Sequence, residues 1–106
     1  MLEPVFSLGT VASGQGTLTV GTALGIVTAS GKLKLLNSAN TDGSQTLAAI
    51  LNQTINTTSG DVANVPIVIG NVSLPKANVI LGGSDTTATH WNALGQAKSG
   101  VSIYVF

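Results

Sequence analysis

From residue 17 to the end of the chain, apolar residues come in short runs that Gly, Asn, Asp and Ser repeatedly interrupt, and only one stretch holds a helical period. This patterning constrains the fold more than any other feature. In the run KLKLL (32–36), Lys32 and Lys34 alternate with Leu33 and Leu35. A period of two puts the lysines on one face of a strand and the leucines on the other. Residues 22–28 form a second apolar run, joined to the first by Ala29-Ser30-Gly31. A three-residue loop ending in glycine predicts a hairpin whose last loop position has positive φ.

The stretch TDGSQTLAAIL (41–51) runs from a polar turn straight into an apolar segment. Asp42-Gly43 carries the turn, because the aspartate caps its own backbone and glycine accepts positive φ. A strand is predicted over 47–55. Ala48, Ile50, Asn52 and Thr54 share one face of it, and Leu47, Ala49, Leu51, Gln53 and Ile55 the other. Its first half is apolar on both faces, which predicts burial between two layers. Residues 65–69 read as a strand that begins at an edge or just after Pro66, since proline donates nothing to a ladder. Runs at 72–74 and 79–81 read as further short strands, and 101–106 as a closing strand. A single helix is predicted from Ser84-Asp85, both good N-caps, to Gly95, with Ala88, Trp91 and Leu94 at helical spacing. The class is therefore mainly β with one short α-helix.

Residues 1–17 have no firm period and contain Pro4, Gly9, Gly14 and Gly16. They read as an extended, mobile arm preceding a single domain over 18–106, with a short strand at 17–20 where the two meet. Val5, Phe6 and Leu8 stand out in this arm, because apolar side chains outside a core need something to bury them. Either a partner covers them or the arm folds back onto its own domain.

Composition narrows the function. Charged residues make up 8% of the chain, formal net charge is zero and arginine is absent. Nucleic-acid binders need clustered Lys or Arg to displace counterions from phosphates. Here Lys32, Lys34, Lys76 and Lys98 are scattered, so no direct nucleic-acid contact is expected. The absence of cysteine excludes disulfides and thiolate sites. No run reaches the roughly 18 apolar residues of a membrane span, and residues 1–10 lack the features of a signal peptide. The expected origin is cytosolic. A near-neutral surface resists association poorly, which fits a life inside an assembly.

The candidates for chemistry are thin. His90 is the only histidine, so a multi-histidine metal site is excluded and no metal or cofactor is expected. Asp85 reads as a helix cap and His90 as a surface or interface residue, on different faces of the predicted helix. No Gly-x-Ser-x-Gly elbow is present, the four acids are isolated, and Gly14-Gln15-Gly16 lacks both the lysine and the following helix of a phosphate loop. No catalytic residue is assigned and the chain is not expected to be an enzyme. Trp91 is read as a core anchor or, with His90, as part of an interface, because aromatics dominate contact hot spots.

Three segments in order, GTALGIVTASGK (21–32), ANTDGSQTLAAIL (39–51) and SGDV (59–62), followed by the helix near 84–95 and the terminal strand, give the chain its resemblance to the lambda-type bacteriophage head decoration proteins, the capsid cement or D-protein family. The resemblance covers roughly residues 18–106. It implies a small single-domain β-barrel or β-tulip-like decoration fold that forms a homotrimer. It also implies a partner, the major capsid protein of the expanded phage head, at three-fold positions on the outer surface of the virion. The protein would be made in the bacterial cytoplasm and would stabilise the shell against internal DNA pressure. Carried over by position, residues 1–17 would be the capsid-binding arm, with Pro4, Val5, Phe6, Ser7 and Leu8 as its contact residues. A small β-sandwich carbohydrate-binding or adhesin-like module is the other reading; such modules line a groove with several aromatics, and this chain has few.

Overall fold

A computed structural model describes residues 5–106. Five strands close into a barrel in the order β1-β4-β3-β5-β7: β1 is Val5–Val11, β3 Ala23–Ile26, β4 Leu33–Leu35, β5 Ala49–Leu51 and β7 Val62–Gly70. Two small ribbons flank it. β2 (Thr17–Leu18) pairs antiparallel with β6 (Ile55–Asn56), and β8 (Val72–Leu74) pairs parallel with β9 (Ile103–Val105).

The predicted hairpin forms as read. Leu24, Gly25 and Ile26 of β3 pair with Leu35, Lys34 and Leu33 of β4, and Gly31 in the loop has φ +72°. The period of two sorts side chains into two cores. Leu24, Leu33, Ala49, Leu51, Val65 and Ile67 pack together with Val11, Leu18 and Ile55. Their immediate chain neighbours Ala23, Ile50 and Val68 face the other way, into a second cluster with Leu36, Leu47, Trp91, Ile103 and Val105. The strand that is apolar on both faces therefore does lie between two layers: Ala49, Ile50 and Leu51 are all buried.

Other expectations change. Residues 5–11 are not an irregular arm but the longest-paired strand after β7, joined antiparallel to it from Val5↔Gly70 to Val11↔Val62. The alternative reading, in which this segment folds back onto its own domain, is the one the structure shows. The predicted strand 47–55 breaks into β5 and β6: the Asn52 N–H still donates to the Pro66 carbonyl (3.0 Å), but Pro66 has no N–H to return and the ladder ends there. Pro66 sits inside β7, not at its start. A strand residue points its N–H and C=O toward the same neighbour, so the missing donor of Pro66 faces the place where β5 has already ended. Residues 79–81 form no strand. A 3-10 turn, Lys76–Asn78, precedes them, and Ile80 makes an isolated bridge to Thr22.

The helix is much shorter than predicted. Helix α1 spans Thr87–His90 and starts from Thr86 rather than Ser84 or Asp85. The Thr86 N–H donates to Thr89 Oγ1 (3.2 Å), and Trp91 already has extended backbone. Four residues cannot carry the Trp91–Leu94 spacing; Leu94 lies instead in a tight turn and is exposed. A run this rich in threonine lacks the propensity to extend without packing on every turn.

Candidate interaction surface

The motif residues of TDGSQT prove to be architecture. The Asp42 carbonyl accepts from Thr28 N–H (2.8 Å), and the Asp42 carboxylate accepts from the Lys34 ammonium (3.2 Å) and from Ser44 N–H (3.1 Å). Ser44 is fully buried, and its backbone lies so close to Gly25 that a Cβ there would collide with it. The Ser44 hydroxyl and N–H, then the Lys34 ammonium, hold the Asp42 carboxyl down to about 2. Asp61 is held low in the same way, first by Lys32 and then by Ser13 N–H (2.8 Å). These carboxylates staple loops to the barrel.

His90 and Trp91 are both buried within the chain. His90 Nε2 lies 2.7 Å from Asp85 Oδ2, with both side chains nearly closed to solvent. This corrects the expectation of a surface histidine separated from a capping aspartate. The helix begins after Asp85, so helical spacing does not apply, and the loop brings the two together. Asp85 does not cap α1; it accepts from Ser38 N–H (2.7 Å) and Ser38 Oγ–H, tying the 37–40 turn to the helix. Burial opposes the charge on Asp85, but the bonds from Ser38 and His90 outweigh it and keep its carboxyl below the usual range. The Ser38 hydroxyl is spent on the carboxylate rather than on the imidazole, so the trio clamps two loops and activates no nucleophile. The Trp91 indole N–H donates to the Ile103 carbonyl (2.9 Å) in the second core. Both residues are buried in the single chain, Trp91 as the core anchor that was its other reading.

The exposed apolar side chains lie elsewhere. On β1, Phe6 is 59% and Leu8 64% exposed, Val5 is also exposed, and Ser7 lies between them. Pro4 falls outside the described residues. Phe6 is a wall of an apolar groove of about 510 Å³, together with Val20, Val68, Val72, Leu74 and Ile80. Leu8 lies on the same outward face of β1 but borders a separate, more polar cleft beside Thr10, Lys32 and Asn64. The structure thus keeps Val5, Phe6, Ser7 and Leu8 together on one strand but divides Phe6 from Leu8 between two depressions. Val20 and Ile80 were missed in the sequence. Val20 stands in a turn and Ile80 at the isolated bridge to Thr22, and only the crossing of the two segments at the Gly21 bend brings them to one groove. The Ala23 N–H donates to the Ile80 carbonyl (2.9 Å), and the Ile80 N–H donates to the Gly21 carbonyl (3.1 Å).

These features define a class: a small closed barrel whose polar clusters serve packing and whose outer face offers an apolar contact groove. The chain belongs to the bacteriophage lambda head decoration protein D family, whose sequence pattern matches residues 7–100. Its role is therefore phage capsid decoration, as a capsid-associated structural protein of the virion. No curated protein matches the chain by sequence.

Proposed function

We infer that the protein binds as a homotrimer to the outside of the expanded phage head, at three-fold positions on the major capsid protein, and stabilises the shell against the pressure of packaged DNA. The N-terminal segment, residues 1–17, is its shell-binding element, with Pro4, Val5, Phe6, Ser7 and Leu8 as contact residues. The observation that carries this reading is the outward face of β1. Phe6 and Leu8 are left more than half exposed in a chain that belongs to a capsid decoration family. Large exposed apolar side chains grouped on one element mark contact sites. Strand β1 pairs with β4 only at Val11↔Leu33, so the rest of that side of the strand is not taken up by the β4 ladder and offers backbone groups to an extended partner segment.

The mechanism needs no reaction. A ligand that binds only the expanded lattice stabilises it by mass action. One contact segment binds weakly, whereas three on one trimer act through effective concentration. Because such a trimer touches several shell subunits at once, it opposes their separation.

The test is mass in solution followed by co-sedimentation with expanded heads. Deleting residues 1–10 would remove most of a barrel strand, so the cleaner variant is Phe6→Ser. Exposed on β1, it should leave the fold intact and weaken head binding by about tenfold or more, the scale of a lost apolar hot spot. A monomer at high concentration that ignores expanded heads would sink the reading.

A further inference from the structure

Among the described residues Asp42 pairs with Lys34, Asp61 with Lys32 and Asp85 with His90, whereas neither Lys76 nor Lys98 has a carboxylate partner. Both line the same cleft, about 410 Å³, with Thr87, Ala88 and Asn92 around them. The two lysines that have no carboxylate partner among the described residues thus share one depression. Lys98 is held there, since its Nζ donates to the Ala88 carbonyl (2.8 Å), and an ammonium has two further donors to offer. Lys76 opens the 3-10 turn Lys76–Asn78, whose next two residues, Ala77 and Asn78, line the apolar groove that Phe6 borders. One turn therefore joins the basic cleft to the apolar groove.

We propose that this cleft receives a carboxylate side chain from an acidic segment of the shell subunit whose apolar part lies along the neighbouring groove. The inference rests on the proposed head binding and specifies the chemistry of the partner. Two like charges in one cleft repel until a counter-charge arrives, and a carboxylate accepts hydrogen bonds from both ammonium groups at once. The contact is solvent-exposed, so it contributes modestly at each cleft, and salt screens it. Repeated on a trimer, the effects multiply.

The experiment is a binding curve of the whole protein on expanded heads at low and high salt, for the native chain, Lys76→Glu and Lys34→Gln. Lys76 is exposed and its side chain bonds to nothing among the described residues, so its reversal should leave thermal unfolding unchanged. Lys34 is paired with Asp42 and serves as the charge control. The expected result is a loss of about tenfold or more for Lys76→Glu at low salt, a smaller difference at high salt, and native-like binding by Lys34→Gln. Equal binding by Lys76→Glu and the native chain overturns the cleft while leaving head binding standing. A Lys76→Glu protein that loses its oligomeric mass assigns the cleft to a contact between copies and also overturns it. A native chain that fails to bind heads at all removes both readings.

Discussion

Strands β5 and β1 flank the same strand, β7, in the same barrel, yet their side chains meet opposite environments. Ala49, Ile50 and Leu51 of β5 are all buried, alternately in the first core and the second. On β1 only Val11 is buried; Phe6 and Leu8 point away from the barrel into solvent. Burying a large aliphatic side chain is worth about 1.5–3 kcal/mol. For β5 that gain is realised within the chain and accounts fully for its composition. For the outer face of β1 it is not realised within the chain, which is the ground for the shell contact proposed there. The difference separates residues that make the fold from residues that the fold presents.

The comparison is most easily broken at Leu51 and Leu8. Leu51→Ala empties a fully buried site and should cost about 2–5 kcal/mol in urea unfolding. Leu8→Ser alters an exposed site and should change stability by no more than about 0.5 kcal/mol. If the two variants lost comparable stability, β1 would be a core strand and its outward face would need no partner. A smaller effect is expected at Gly25, where a methyl group would run into the Ser44 backbone. Gly25→Ala should cost about 1–3 kcal/mol, the scale of overpacking. It should lower the urea midpoint without touching head binding, because the strain falls on the β3 side of the barrel.

Much of this division was legible in the sequence. The two-sided apolar run at 47–51 announced a strand between layers, and Gly31 with the alternating KLKLL announced the hairpin and its register. The lone Val5, Phe6 and Leu8 announced an apolar surface, although not that it belongs to a paired strand. Glycine at position 9 and proline at position 4 spoke against a strand there, and tertiary pairing with β7 overrode them. The helix was overread, since Trp91 and Leu94 matched a helical period by coincidence: Trp91 is held by the Ile103 carbonyl and Leu94 by a turn. The His90–Asp85–Ser38 clamp was invisible because Ser38 lies 47 positions from Asp85 in the chain. The groove was illegible for the same reason, as Phe6, Val20 and Ile80 meet only when the barrel closes.

Acid supplies the gentlest probe of the same contrast. Asp42 staples the turn against β3 and β4, and Asp61 staples Ser13, just past the end of β1, to Lys32 next to β4. Asp85 joins α1 to the 37–40 turn. All three have folded-state values below the ordinary aspartate pKa of about 3.9. The unfolded chain therefore binds more protons than the native one in this window, so their contribution is fully present above about pH 4 and is lost as pH falls. For Asp42 the loss should continue down to about pH 2. Urea midpoints should thus be flat from neutrality to about pH 5 and decline below about pH 4, and Asp42→Asn should remove part of that slope. Amide exchange should show where the loosening falls. Asp61 sits at the β4 end of β1, so acid should open Ser13 and its neighbours while the Ala49–Leu51 amides of the two-sided strand stay protected. Protection lost equally in both places would mean that the barrel opens as one unit and that the exposed strand is no weaker than the buried one.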